Sequence, residues 1–295
     1  MTPGVYTVPS AQYHADDLGC DAPMLSASLA TILLRESPKH AYARHPKLGG
    51  FIEEPSETFD LGTAAHSMIL EGNESSYAII EANDWRTNAA KDARAAARAA
   101  GKTPLLAKQV ERVRAMSAAV RAQLAEFADA PAPLTNGKPE QTLVWQEDDL
   151  VCCKARLDWL HDDLLTIDDL KTTAKSASPQ AWTRSVYGMG GDVQAAMYLR
   201  GLSKVAFELH DPRLRWNASH RTFRWIVVEN SYPYATSVCT LSPDALGLAH
   251  QKVQLAIDIW RECLRTGYWP GYPLRTVSID APKWEALAAE ELEIY

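Results

Sequence analysis

Lys154-Ala-Arg-Leu-Asp-Trp-Leu-His-Asp-Asp-Leu-Leu-Thr-Ile-Asp-Asp-Leu-Lys171 consists of two short runs of alternating apolar and polar residues joined by the polar triplet His161-Asp162-Asp163. The alternation predicts a β-hairpin. A two-residue loop at Asp162-Asp163 sets Leu157 opposite Asp168 and Asp158 opposite Ile167, so that Asp158, Asp169 and Lys171 share one face. Any loop with an even residue count gives the same parity. Two carboxylates on neighbouring strands can share a divalent cation, and a lysine two residues beyond the second can hold or deprotonate a water there. Strongly polar residues at the buried end of a strand need a reason, and phosphodiester hydrolysis supplies one. Asp168 falls on the opposite face and reads as structural.

The 295 residues, 46% apolar, suit one α/β core with a helical elaboration. Nothing near the N-terminus reads as a signal peptide and no run of about 18 apolar residues could span a bilayer, so a cytoplasmic protein with no membrane partner is expected. Cys20, Cys152, Cys153, Cys239 and Cys263 are odd in number and lack a C-x-x-C spacing. That argues against a disulfide framework, a zinc site or an iron–sulfur cluster. The net charge of -7 is unevenly spread, because residues 86–124 carry nine basic and two acidic groups. Such a basic arm can bind a polyanion locally within an acidic chain, although a solvated helical hairpin has the same composition.

In chain order, residues 1–23 read as irregular. A helix starts at Leu25-Ser-Ala-Ser28 with Ser26 or Ser28 as cap, and a second opens at Ser37-Pro38. Phe59 to Glu71 reads as a helix closed by Gly72, its middle small (Gly62, Ala65) except for His66, whose imidazole could add a ligand to the hairpin carboxylates. Residues 85–130 read as two helices around the Gly101-Lys-Thr-Pro104 interruption. A strand at Glu140–Trp145 and the two hairpin strands make a meander, with Glu140 at the mouth of the first strand. One helix is expected from Ser178-Pro179 to about Arg200, placing Gln194 and Tyr198 on one face. Strand-like runs follow at Lys204–Leu209, Thr222–Glu229 and Ala235–Leu241, then a long helix from Ser242-Pro243 and an acidic tail from Asp280.

Gly62-Thr-Ala-Ala-His66, Glu140 before a strand, Arg156-Leu-Asp158, Ile167-Asp-Asp-Leu-Lys171 and Gln194-Ala-Ala-Met-Tyr198 in this order resemble the PD-(D/E)XK nuclease superfamily. The similarity is greatest to the exodeoxyribonuclease VIII (RecE) type of phage and prophage recombination. The resemblance implies a restriction-endonuclease-like core over residues 1–295, a central mixed sheet flanked by helices, with the basic helical insertion at about 85–130. It implies a Mg²⁺- or Mn²⁺-dependent 5′→3′ exodeoxyribonuclease that acts at double-stranded DNA ends. By the same resemblance one strand would be degraded and the 3′ single strands left behind would pass to an annealing protein of the RecT type, often from a ring-shaped homo-tetramer.

Carried over residue by residue, Asp158, Asp169, His66 and the Leu170 carbonyl resemble metal ligands, and Lys171 the residue that positions the attacking water. Glu140 and Gln194 resemble contacts to the metal or its water, and Tyr198 a helper of the lysine or the phosphate. Ser28, Arg94, Arg98, Lys102 and Arg156 are candidate DNA contacts. Asp169 departs from the glutamate of many superfamily members, but both acids bind hard cations. Rival readings are another PD-(D/E)XK DNA nuclease (RecB-like or CRISPR-associated) and a non-catalytic DNA-binding relative.

Overall fold

A computed structural model of the chain describes residues 2–51, 57–208, 221–285 and 287. Its centre is a six-stranded mixed sheet built from β1 (Gly4–Thr7), β4 (Gly137–Gln146), β5 (Cys152–His161), β6 (Thr166–Thr173), β7 (Thr222–Glu229) and β8 (Thr236–Cys239), in that spatial order. The β4–β5–β6 meander is antiparallel, β6 and β7 run parallel, and β8 returns antiparallel.

The parallel step needs a crossover. It contains α7 (Pro179–Met189) and α8 (Gly191–Glu208), which break at Gly190 in the left-handed conformation (φ +80°) where one continuous helix was expected. The run Lys204–Leu209, expected as a strand, continues α8 to Glu208; Leu209 itself lies outside the described residues. The reason is periodicity: Leu199, Leu202, Val205 and Ala206 keep the helical stripe buried past Arg200.

α8 covers one face of the sheet, and α2 (Ala27–Arg35) and the terminal helix α9 (Pro243–Thr266) pack outside it. Leu143, Trp145, Leu157, Ile167, Phe223 and Trp225 belong to this core. α8 lies so close to β4 that a Cβ at Gly201 would stand 2.6 Å from the Trp145 ring, so only glycine fits there. The opposite face carries α4 (Glu57–Glu71) and α6 (Ala107–Leu124) over Leu170, Ile226 and Val228. α3 (Pro38–Arg44) follows α2 after the expected proline start.

Three further expectations change. The N-terminal residues are not all irregular, for Gly4–Thr7 pairs antiparallel with β4 as an edge strand and α1 (Ser10–His14) follows. The basic arm is not purely helical: α5 (Asn88–Ala99) leads into β3 (Thr103–Leu106), which pairs parallel with β2 (Tyr77–Ile80). Pro104 is tolerated because this two-stranded sheet consists only of edges. The hairpin loop has four residues, Asp162–Leu165, because Asp163 Oδ1 accepts from the Leu165 and Thr166 amides at 2.8 and 3.2 Å. Trp159 therefore faces Asp168 and Leu160 faces Ile167, two residues from the expected register and with the same parity.

Candidate metal centre

On α4 the small residues let the helix cross β6 closely, and a Cβ at Gly62 would lie 3.6 Å from Thr172 Oγ1. One turn on, His66 reaches over the sheet. Its Nε2 lies 2.8 Å from Asp158 Oδ2 and its Nδ1 3.2 Å from Glu140 Oε1. A neutral imidazole could donate to only one of them, so the two carboxylates favour the doubly protonated ring. Burial pulls the His66 ring toward the neutral form, but Asp158 and then Glu140 outweigh it and lift the ring to about 10. Burial likewise opposes ionisation of Asp158, yet His66, Lys171 and the Leu170 amide hold it down to about 2.

The strands are distorted where these groups meet. The β4–β5 register runs through Pro139↔Trp159 and Gln141↔Leu157, which sets Glu140 against Asp158, and Glu140 alone in that strand has a positive φ, +56°. A left-handed conformation at a non-glycine residue costs about 1–3 kcal/mol and persists where the surroundings impose it. Here the carboxylate is fixed at both oxygens, by His66 on Oε1 and by the Arg156 guanidinium on Oε2. Arg156 also donates to the Val8 carbonyl at 3.0 Å, tying the site to the N-terminal segment. Across the hairpin, Asp158 Oδ2 takes the Leu170 amide proton at 2.8 Å.

Asp169 sits beside this cluster, fully buried. Lys171 pairs with its Oδ2, and Gln194 Nε2, from α8, donates to its Oδ1 at 2.8 Å. Burial pushes Asp169 up to about 6, with Lys171 opposing and Asp158 reinforcing the shift. Burial works against the Lys171 ammonium, but Asp169 and Asp158 together keep its value above the ordinary one. Tyr198, one turn beyond Gln194, is buried edge-on to Phe223, and burial with Asp169 nearby pushes its phenol far up, so it stays neutral.

Ligand atoms of His66, Glu140 and Asp158 all lie within 4.8 Å of one another. Two hard carboxylates and an imidazole, at present balanced by a ring proton, suit Mg²⁺ or Mn²⁺, with the nitrogen leaning toward Mn²⁺. Of the expected pair, Asp158 belongs to this triad and Asp169 lies beside it, held by Lys171 and Gln194, while Glu140 joins the triad directly. Leu170 meets the cluster through its amide N–H.

The candidate DNA contacts are placed differently. Arg156 is turned onto Glu140. Arg94 and Arg98 reach Asp60 on α4 at 3.4 and 2.9 Å, docking α5 onto the helix that carries His66. Lys102 is exposed beyond α5, and Ser28 is exposed in the first turn of α2 with its hydroxyl 3.0 Å from that of Ser26. Within the same arm Arg112 holds the Asn230 carbonyl, Arg114 pairs with Glu74, and Arg121 donates to Met68 O at 3.0 Å. Much of the arm's charge thus serves the fold. Asp168 lies on the other face, gripped by Arg224 (2.6 and 3.0 Å) and His161 (2.7 Å) and capped by the Leu134 amide. Sequence reasoning missed Asp60 and Arg224; an acid preceding the basic arm was the available signal for the first, and no local pattern marks the second.

The profile of a PDDEXK-like domain of unknown function (DUF3799) matches residues 26–276. A crystal structure from Eubacterium rectale, of a protein provisionally assigned as an exonuclease, is similar in fold with a TM-score of 0.56 at 13% identity, over 96% of this chain and 99% of that one. A phage-related exonuclease from Haemophilus somnus 129PT aligns at 11% identity over 83% and 96% of the two chains with a TM-score of 0.32, too low to support a fold argument. No curated protein matches the sequence significantly.

Proposed function

Because the chain belongs to the PDDEXK-like family DUF3799, we propose that it is a metal-dependent DNA nuclease. More narrowly, we read it as a 5′→3′ exodeoxyribonuclease that degrades one strand of linear duplex DNA and leaves 3′ single strands for an annealing protein of the RecT type. The observation that carries the hydrolytic reading is the apposition of the His66, Glu140 and Asp158 cluster to the Asp169–Lys171 pair. The narrower reading is supported by the motif order in the sequence and is in keeping with the provisional assignment of the Eubacterium rectale protein. Assembly into a homo-tetramer belongs to the same reading.

In this role Asp158, Glu140 and His66, together with Asp169 and the Leu170 carbonyl, would hold Mg²⁺ or Mn²⁺. The bound cation supplies charge neutralisation at the scissile phosphate and lowers the pKa of water. Lys171 remains an ammonium and donates to the attacking water and a phosphate oxygen, orienting one against the other. Gln194 fixes Asp169, and Asp169 in turn fixes the lysine. Tyr198 lends a neutral hydroxyl to the same corner, and Arg156 holds Glu140 in its strained conformation.

The test is digestion of end-labelled linear duplex beside covalently closed circles, with Mg²⁺, Mn²⁺ or a chelator. Loss of the linear substrate only with a divalent ion, with circles intact and 5′ nucleotides released first, supports the full reading. Nicking of circles would replace the exonuclease with a generic nuclease, and no cleavage under any condition would favour a DNA-binding relative.

A further inference from the structure

Two thiols with no part in this chemistry meet beneath the N-terminal segment. Cys20 Sγ lies 2.8 Å from Cys152 Sγ, only about 0.8 Å beyond the length of an S–S bond. Both belong to a small apolar cluster with Val8, Tyr13, Leu18, Met24 and Val144, separate from the two main cores. Cys20 is half-buried, its carbonyl held by Lys47 Nζ at 2.5 Å, and Cys152 at the start of β5 is 7% exposed.

The other cysteines are directed elsewhere. Cys153, the next residue along β5, faces the α8 core, Cys239 packs against that core from β8, and Cys263 is buried near the C-terminal end of α9. The segment that presents Cys20 is anchored on the same strand. Leu25 N donates to Cys152 O at 2.9 Å, Lys154 N donates to Leu25 O at 3.0 Å, and buried Asp16 pairs with Lys154 at 2.6 Å. The two sulfurs are therefore held together by contacts that do not depend on them, which is the condition for fast intramolecular closure.

We propose that Cys20 and Cys152 form a redox-modification site that closes to an intramolecular disulfide on reaction with a small-molecule disulfide such as oxidised glutathione. Cys20, the accessible sulfur, loses its proton to solvent and attacks the glutathione disulfide, giving a mixed disulfide and one glutathione. Cys152 then loses its proton to water and attacks Cys20 Sγ, forming the protein disulfide and releasing a second glutathione. Two protein thiols are oxidised and one glutathione disulfide is reduced. Burial, then the adjoining Cys20, push the Cys152 thiol up to about 11, which makes it the slower, resolving partner. The bond would fasten the segment that supplies the Val8 and Tyr13 carbonyls to Arg156 and Lys154 onto the strand that carries Asp158.

The experiment incubates the full chain with oxidised glutathione, blocks remaining thiols with an alkylating reagent, and maps peptides by mass. The expected result is loss of two of the five thiols, a peptide pair joined through Cys20 and Cys152, and reversal by dithiothreitol. Cys239→Ser should form the same pair, whereas Cys20→Ser and Cys152→Ala should each lose it, the two substitutions guarding against misfolding of either one. Retention of all five thiols, a stable glutathione adduct on Cys20 without closure, or a linkage through Cys153, Cys239 or Cys263 would overturn the proposal.

Discussion

The Arg156 guanidinium bridges the Glu140 carboxylate and the Val8 carbonyl, so it holds one acid of the candidate metal centre from behind. Groups that orient a ligand from behind commonly contribute 10–100-fold to metal affinity. Arg156→Ala should therefore weaken Mn²⁺ binding by about that factor in calorimetry, with Arg156→Lys recovering part of it. Affinity for duplex DNA and its salt dependence should stay nearly unchanged. A large loss of DNA affinity with intact metal binding would restore the residue to the DNA surface.

Lys171 lies against Asp169 with its ammonium stabilised by two carboxylates. Removing a group that acts only in the transition state costs about 10²–10⁴-fold in rate. Lys171→Ala should lose cleavage to that extent in single-turnover assays while DNA binding persists. Near-normal turnover would remove the lysine from the mechanism.

The protonated state of His66 gives the pH dependence a definite sign. Ligation requires the neutral ring, and that ring is raised from 6.5 to about 10 in the metal-free protein. Between pH 7 and 9 each bound ion should displace one proton, and apparent affinity should rise about tenfold per pH unit. His66→Ala should flatten that slope. Without metal the sign reverses for stability: the raised value stabilises the fold fully below pH 6.5, and this contribution fades as pH rises through about 10.

Asp168 offers the contrasting case. It is fully buried and paired with Arg224 and His161, and removing one partner of a buried ion pair costs about 3–5 kcal/mol. Asp168→Asn should lower the melting temperature by many degrees yet bind Mn²⁺ normally once folded. Asp158→Asn should do the reverse, with lost metal binding and a smaller change in stability.

The sequence made the hairpin legible because its alternation survives an error in loop length: a four-residue loop in place of two leaves Asp169 and Lys171 on the same face. Capping chemistry also read through, since Ser26, Ser178 and Ser242 each cap the helix expected of them. What failed depended on tertiary partners. β1 is four residues long and is a strand only because β4 lies beside it, and β3 contains a proline admissible only at an edge. The central place of Glu140 was hidden for a related reason. Its left-handed backbone and its two fixed oxygens arise from His66 and Arg156, neither of which is adjacent to it in sequence. In the basic arm, composition reports charge and not the partners, such as Asp60, that hold Arg94 and Arg98.

His66 rides on α4, whose Met68, Ile69 and Leu70 are rooted in one hydrophobic core, whereas Gln194 and Tyr198 ride on α8 in the other. The sheet separates these two bodies, and the polar cluster is where groups from both sides come together. A cation gripped from both sides therefore couples the opening of one layer to the opening of the other. Amide hydrogen exchange would report this directly: in chelator, α4 and α8 should exchange with separate opening free energies, and with saturating Mn²⁺ the two helices should converge on a common, slower rate.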